Sequence, residues 1–191
     1  MVRDARRCLA ALLTILRSIA SAMRLEGWGH EVENGVSSME PALATRYVFT
    51  ITARIGAVTS AGEIGTGERR IIPIVGGEVR GKDINGKVLA FGADFQIVRP
   101  DYSIDLEAKY AIESDDGAVI YVENRGIRRG PIDLVKKLNR GEAVDPALIY
   151  FRTMPRFETG AAKYRWLMQS LFVASAARHA DRVVIDVHQV L

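Results

Sequence analysis

Cysteine, histidine and long apolar runs are scarce in this chain, and each scarcity excludes a class of protein. Cys8 is the only cysteine among 191 residues, so no disulfide can form within the chain, and we expect a reducing, cytoplasmic location. The two histidines of the C-terminal part, His179 and His188, have no metal-ligand spacing, so we expect no metal site. We also expect no membrane-spanning helix.

Motifs that hold cofactors or activate a nucleophile are missing too. The chain has no Gly-x-Ser-x-Gly elbow, no Gly-x-Gly-x-x-Gly turn opening a helix, and no phosphate-binding loop. We therefore predict that the protein uses no cofactor. A net charge of +3 is too small to indicate nucleic-acid binding, which usually needs a concentrated basic face. We predict no nucleic-acid partner.

Residues 1–38 form a region of their own, which we predict to be a basic amphipathic extension followed by a linker. Within residues 3–25, five arginines and one acid lie among leucines at helical spacing, yet the segment is too short and too charged to span a membrane. Three interpretations stay open. It is a secretory signal ending near residues 20–22, a partner-binding helix, or the product of a start codon placed upstream of a true start at Met39.

From Thr45 onward the apolar period changes to two, which predicts β-strands. In the first strand Tyr47, Phe49, Ile51 and Ala53 share one face. Residues 56–67 are punctuated by glycine and are predicted to form a loop. Further strands are predicted at residues 69–75, 78–80, 86–91, 94–98, 103–113, 118–127, 146–154, 171–177 and 182–190.

The clearest hairpin joins residues 103–113 to residues 118–127 through Ser114-Asp115-Asp116-Gly117. Asp-Gly suits a type I turn followed by a left-handed glycine. The resulting register places Glu107 opposite Arg125 and Lys109 opposite Glu123, which gives two cross-strand charge pairs. A slip by one residue would lose both pairs, so turn chemistry and charge predict the same register.

One short interior helix is predicted at residues 132–139, begun by Pro131 and ended by Gly141. Many short strands without alternating helices exclude a parallel sheet and favour closure into a barrel. We therefore predict a mainly β protein, in which residues 39–191 form a single antiparallel β-barrel of about nine or ten strands.

Polar residues expected inside an apolar barrel are the candidate site. Asn124 shares its predicted inner face with Tyr110 and Val122, and a buried amide needs hydrogen-bond partners, from the protein or from a ligand. Asp94 is a candidate general base, although it could equally cap a turn. Arg152, Arg156 and Glu158 follow the predicted end of a strand, where they either clamp a carboxylate or form a surface ion-pair network.

We predict two catalytic and five ligand-binding residues. Arg69 and Arg70 point to opposite faces, so at most one of them faces the lumen, and Trp166 suits either a pocket wall or core packing. The predicted catalytic residues are Asp94 and Glu158; the predicted ligand-binding residues are Arg69, Tyr110, Asn124, Arg152 and Trp166.

Three phrases carry a family resemblance: GERRIIPIVGG at residues 67–77, FGADFQ at 91–96 and YFRTMPRFETG at 150–160. In this order they resemble the uncharacterised family known as domain of unknown function 3237 (uncharacterised protein family 0311), from about Arg46 to Val190. The resemblance implies a β-barrel and places the predicted site arginines, Asp94, Asn124, Glu158 and Trp166 in recurring phrases. Phe95 stands where related sequences often carry tryptophan. The resemblance assigns no activity.

Two functions are compatible with these observations. The first is a small-molecule-binding barrel that acts without a cofactor, through isomerisation, cyclisation, dehydration or lactone hydrolysis of a small aromatic or carboxylate-bearing metabolite. The second is a non-catalytic interaction module that forms a homodimer and fills its barrel with its own side chains. A lumen lined by Asn124, Asp94 and an arginine would favour the first.

Overall fold

The computed structural model describes residues 43–191, and this part of the chain is a closed antiparallel eight-stranded barrel with two extra strands. The predicted extension at residues 1–38 lies outside the described residues. The strands are β1 (Thr45–Ile55), β2 (Thr59–Glu63), β3 (Glu68–Gly81), β4 (Gly86–Val88), β5 (Ala93–Val98), β6 (Ile104–Ser114), β7 (Val119–Arg129), β8 (Tyr150–Glu158), β9 (Phe172–Arg178) and β10 (Arg182–Val190).

The barrel closes because β3 is long enough to pair with β1 through its second half and with β5 through its first half. The ring runs β1-β10-β9-β8-β7-β6-β5-β3 and returns to β1, while β4 and β2 add further pairings to β3. Closure leaves the ring without free edges. Gly77 makes the contact between β1 and β3 possible, since its φ is +144° and a Cβ there would lie 2.0 Å from the Thr52 carbonyl oxygen.

The β6–β7 hairpin has the predicted register. Glu107 lies opposite Arg125 and Lys109 opposite Glu123, and Gly117 is left-handed with a φ of 83°. The Glu107–Arg125 ion pair forms at 3.2 Å. The second predicted pair does not form, because Lys109 contacts Glu107 on its own strand at 2.9 Å.

Three helical segments accompany the described strands. The α-helix α1 (Ile132–Asn139) has the predicted bounds. Two short 3-10 helices cover Pro146–Leu148 and Ala162–Met168. No helix among the described residues is long and apolar enough to cross a membrane.

Several strand predictions are wrong in ways that matter for the site. The predicted loop at residues 56–67 contains β2, whose five residues are all exposed and so carry no apolar alternation. The strands predicted at 69–75 and 78–80 are one strand, β3. The strand predicted at 146–154 begins at Tyr150 and continues to Glu158. A bulge in β1 after Tyr47 turns that side chain outward, away from Phe49.

The interior contains two apolar clusters. The larger cluster lies at the end closed by the 3-10 helix Ala162–Met168 and includes Phe49, Phe157, Leu167 and Phe172. The smaller cluster lies under α1, which contributes Val135 and Leu138. These apolar side chains are buried, and their burial supplies the main force that holds the barrel together.

Candidate functional site

A largely apolar cavity of about 40 Å³ with a few polar groups lies inside the barrel, with walls drawn from both apolar clusters. Its apolar lining includes Ile74, Leu106, Phe151 and Ile185. A volume of this size can hold a water molecule, but it is well below the size of an ordinary ligand pocket. The polar lining consists of Asp94, Tyr110, Asn124 and Thr153.

Each of the four polar side chains has an enclosed oxygen with no hydrogen-bond partner among residues 43–191. These oxygens are Asp94 Oδ1, the Tyr110 hydroxyl, Asn124 Oδ1 and Thr153 Oγ1. Tyr110, Asn124 and Thr153 are at most 5% exposed. Native proteins leave few buried polar groups unpaired, since each costs about 1–3 kcal/mol. Four such oxygens therefore converge on one cavity.

Asp94 is the chemically most distinctive group of the cavity. It lies on the inner face of β5, and its Oδ2 accepts a hydrogen bond from Gln96 Nε2 at 2.6 Å. Burial raises the pKa of the Asp94 carboxyl, while the Gln96 hydrogen bond and the nearby Arg128 charge act in the opposite direction. A carboxylate with a raised pKa is a better proton acceptor at neutral pH than an exposed one. Its Oδ1 is the oxygen left available for a proton.

Two arginines stand close to Asp94, although neither lines the cavity itself. Arg128 is 3% exposed and holds its guanidinium carbon 5.6 Å from the centre of the Phe151 ring. Burial lowers the pKa of Arg128 to about 10, with a further contribution from the charge of Arg178. Arg178 ends β9 opposite Val183, a cavity-lining residue. The lumen therefore carries positive charge next to Asp94.

The structure brings three of the seven predicted site residues together at this cavity: Asp94, Tyr110 and Asn124. Arg69 is not among them. On β3 the inner positions are those opposite Asp94 and Gln96 of β5, so Arg70 faces inward and Arg69 outward. Arg70 forms an ion pair with Glu68 at 2.5 Å.

Arg152, Glu158 and Trp166 also lie away from the cavity. The alternation of β8 places Arg152, Arg156 and Glu158 on its exposed face, because the strand continues through Pro155 instead of ending before it. Among the described residues these three side chains form no ion pair, so the alternative network does not form either. Trp166 packs against Phe172 with ring centres 6.0 Å apart and belongs to the larger apolar cluster.

Sequence reasoning missed Thr153 and Arg128. Both are buried inner-face residues. The alternation of inner and outer residues along their strands indicates that each faces inward. Arg128 is four residues from Asn124, on the same face of β7, but the predicted strand ended at residue 127. Thr153 lies next to Arg152 on β8 and points to the opposite, inner face. The prediction selected the charged residues of this strand and so omitted Thr153.

A second depression, of about 540 Å³, lies on the outer face of the barrel over β7, β8 and β9. Arg152 stacks on Tyr150 there, with its guanidinium carbon 5.4 Å from the ring centre. We call this the outer groove. His188 also lines it, edge-on to Tyr47 at 5.7 Å. Within residues 43–191 no group of three potential ligand residues could hold a metal ion.

Comparison with known proteins shows where this fold occurs. The model of the family described as "Protein of unknown function (DUF3237)" matches residues 43–190. A UPF0311 protein of Rhodopseudomonas palustris is 75% identical over 153 residues, covering 80% of this chain and 100% of the relative. A crystal structure of a conserved protein of unknown function from that organism has the same identity and coverage, with a TM-score of 0.78.

Two more distant structures share the architecture. A structure described as a beta-barrel like protein from Acinetobacter baumannii is 36% identical, with a TM-score of 0.70, and the match covers 80% of this chain and 98% of that one. A structure described as an enzyme from Penicillium herquei is 18% identical, with a TM-score of 0.61 and coverage of 82% and 100%. The latter likeness shows the fold alone.

Proposed function

This chain belongs to the DUF3237 family, and from that premise we propose that its barrel binds a small organic molecule in the lumen. The observation that carries the proposal is the set of four enclosed, unpartnered oxygens around one cavity. A barrel filled for packing alone would place apolar groups there, since unpaired polar groups lower stability.

A cavity of about 40 Å³ is too small for an organic ligand, so strands of the barrel wall have to move apart to admit one. The pairing between β8 and β9 is restricted to Arg152 with Ser175 and Thr153 with Ala174, whereas β7 and β8 pair over nine positions. Thr153 lines the cavity on the inside. We propose that this seam separates when a ligand enters and enlarges the cavity beyond its ligand-free volume.

The chemistry that fits this site is proton transfer without a cofactor. Asp94 Oδ1 would take a proton from a carbon beside a carbonyl group, and the electrons of the broken C–H bond would move to the carbonyl oxygen. Tyr110 and Thr153 would donate hydrogen bonds to that oxygen as its charge develops. Asp94 would then return the proton to another atom of the same molecule, so the isomerisation balances without a co-reactant.

A thermal-shift screen of the full chain at pH 7 tests this proposal. The panel consists of small aromatic acids, lactones and hydroxy acids. A ligand at a hundred times its dissociation constant should add roughly 2.7 kcal/mol of stability, which is about 5–10 °C for a chain of this size. Asn124→Leu should abolish the shift, because it replaces the amide by apolar methyl groups on the same branched side-chain skeleton and so removes a polar group of the cavity.

Arg152→Ala is the matched comparison, since Arg152 lies in the outer groove and should leave the shift unchanged. A shift that survives Asn124→Leu and disappears with Arg152→Ala would contradict the lumen proposal and place the ligand outside. No shift across the panel would also contradict it. The homodimerising module would then be the better account, with the exposed apolar side chains Ile127, Met154 and Val173 as its contact surface.

A further inference from the structure

The end of the lumen under α1 contains more positive than negative charge. Arg70, Arg128 and Arg178 lie there, and the charges of Arg70 and Arg178 both act on Arg128. The opposing carboxylates are Glu68, which forms an ion pair with Arg70 at 2.5 Å, Asp181, whose charge acts on Arg178 but whose ion pair is with Arg182 at 2.9 Å, and Asp94. The charge of Asp94 acts on both Arg128 and Arg178, so one carboxylate faces two guanidiniums.

Arg128 and Arg178 also lack partners of their own. Within residues 43–191 neither guanidinium forms an ion pair. Arg128 Nε and Arg178 Nη1 are enclosed and have no hydrogen-bond partner. Arginine is almost never fully buried unless it is paired, because an uncompensated charge is costly in a protein interior. The Phe151 ring, 5.6 Å from Arg128, offsets only part of that cost.

We infer that Arg128 and Arg178 form the anion-holding half of the lumen site, so that the ligand is an organic acid whose carboxylate binds between these two guanidiniums. This inference rests on the proposed function and adds the chemical class of the ligand. The carboxylate would point towards α1, and the rest of the molecule would lie along Leu106, Phe151 and Ile185. That arrangement brings a carbon of the acid to Asp94 Oδ1.

The test compares each acid with its neutral amide: benzoate with benzamide, and phenylacetate with phenylacetamide. Binding to the full chain is measured by thermal shift and titration calorimetry at pH 7. Acids should bind and their amides should bind at least tenfold more weakly. Arg128→Met and Arg178→Met should each weaken acid binding by about 10–100-fold, the usual effect of losing a charged hydrogen bond. Arg156→Met, on the exposed face of β8, should change nothing.

Folding of the variants is a second readout. Arg128→Met should melt at or above the wild-type temperature without ligand, because it replaces an unpaired buried charge by an apolar side chain of similar length. Marked destabilisation would overturn the inference and make Arg128 a structural residue.

Other results separate this inference from the proposal on which it rests. Binding of neutral compounds alone, or an acid preference that survives both variants, would overturn the anion site and leave the lumen proposal standing. Absence of binding by acids and neutral compounds alike would overturn both.

Discussion

Phe157→Ala should lower the free energy of unfolding by about 3–5 kcal/mol, the usual effect of removing a large aromatic side chain from a core. Phe157 is 3% exposed. Its ring packs edge to face on Phe49 and Phe172, with centres 5.6 and 5.2 Å apart. The substitution therefore removes two aromatic contacts and leaves a cavity in the larger apolar cluster. Chemical denaturation of the full chain measures the loss.

Met154→Ala is the control for this experiment. Met154 lies on the same strand but is 64% exposed, so its loss should change stability by less than about 0.5 kcal/mol. A small effect of Phe157→Ala, comparable to that of the control, would mean that the closed barrel is not held by this aromatic cluster.

Tyr110→Phe should make the ligand-free protein more stable, by up to about 1–3 kcal/mol. The Tyr110 ring is buried, but its hydroxyl is enclosed without a hydrogen-bond partner. Phenylalanine keeps the shape and removes the unpaired group. The same variant should bind ligand more weakly, because the hydroxyl is one of the groups proposed to contact it. Stability traded for function in this way is common at binding sites.

Tyr164→Phe provides a matched comparison among the buried tyrosines. Tyr164 is 3% exposed, and its hydroxyl donates to Asp116 Oδ2 at 3.1 Å. Its removal should destabilise the protein by about 1.5 kcal/mol, the lower end for a hydrogen bond to a charged group, since Asp116 is partly exposed. If Tyr110→Phe destabilises the protein as Tyr164→Phe does, the Tyr110 hydroxyl already has a hydrogen-bond partner in the free protein. The argument that this hydroxyl is unpaired until a ligand binds would then be wrong.

The parts of the fold that sequence predicts well are those where two local signals agree. The β6–β7 register follows from the Asp116-Gly117 turn together with opposite charges, and α1 from Pro131 and Gly141. β2 was not predicted because all of its residues are exposed. Its sequence therefore has no alternation of apolar and polar residues that would indicate a strand. The direction of a side chain is equally hard to predict where a bulge changes the alternation, as the bulge after Tyr47 does when it leaves that side chain outside the barrel.

The site is predictable only in part, because alternation tells which residues share a face but not which face is inside. Asn124 and Tyr110 were predicted on the inner face, where the structure has them, since residues two positions away on that face, such as Val122 and Ile112, are apolar. Arg69 and Arg70 each have an isoleucine two positions away, so alternation alone does not choose between them. The choice between them depends on the pairing of β3 with β5, a contact between segments about 25 residues apart that local patterns do not encode.

The most direct test of a ligand site in the lumen is a crystal structure of the full chain bound to the acid with the largest thermal shift. The account predicts that the ligand lies inside the barrel, within hydrogen-bond distance of Tyr110 and Asn124. Its carboxylate should face Arg128, and the β8–β9 seam should be wider than in the free protein. A ligand bound in the outer groove beside Arg152 and Tyr150, with the lumen unchanged, would contradict the account.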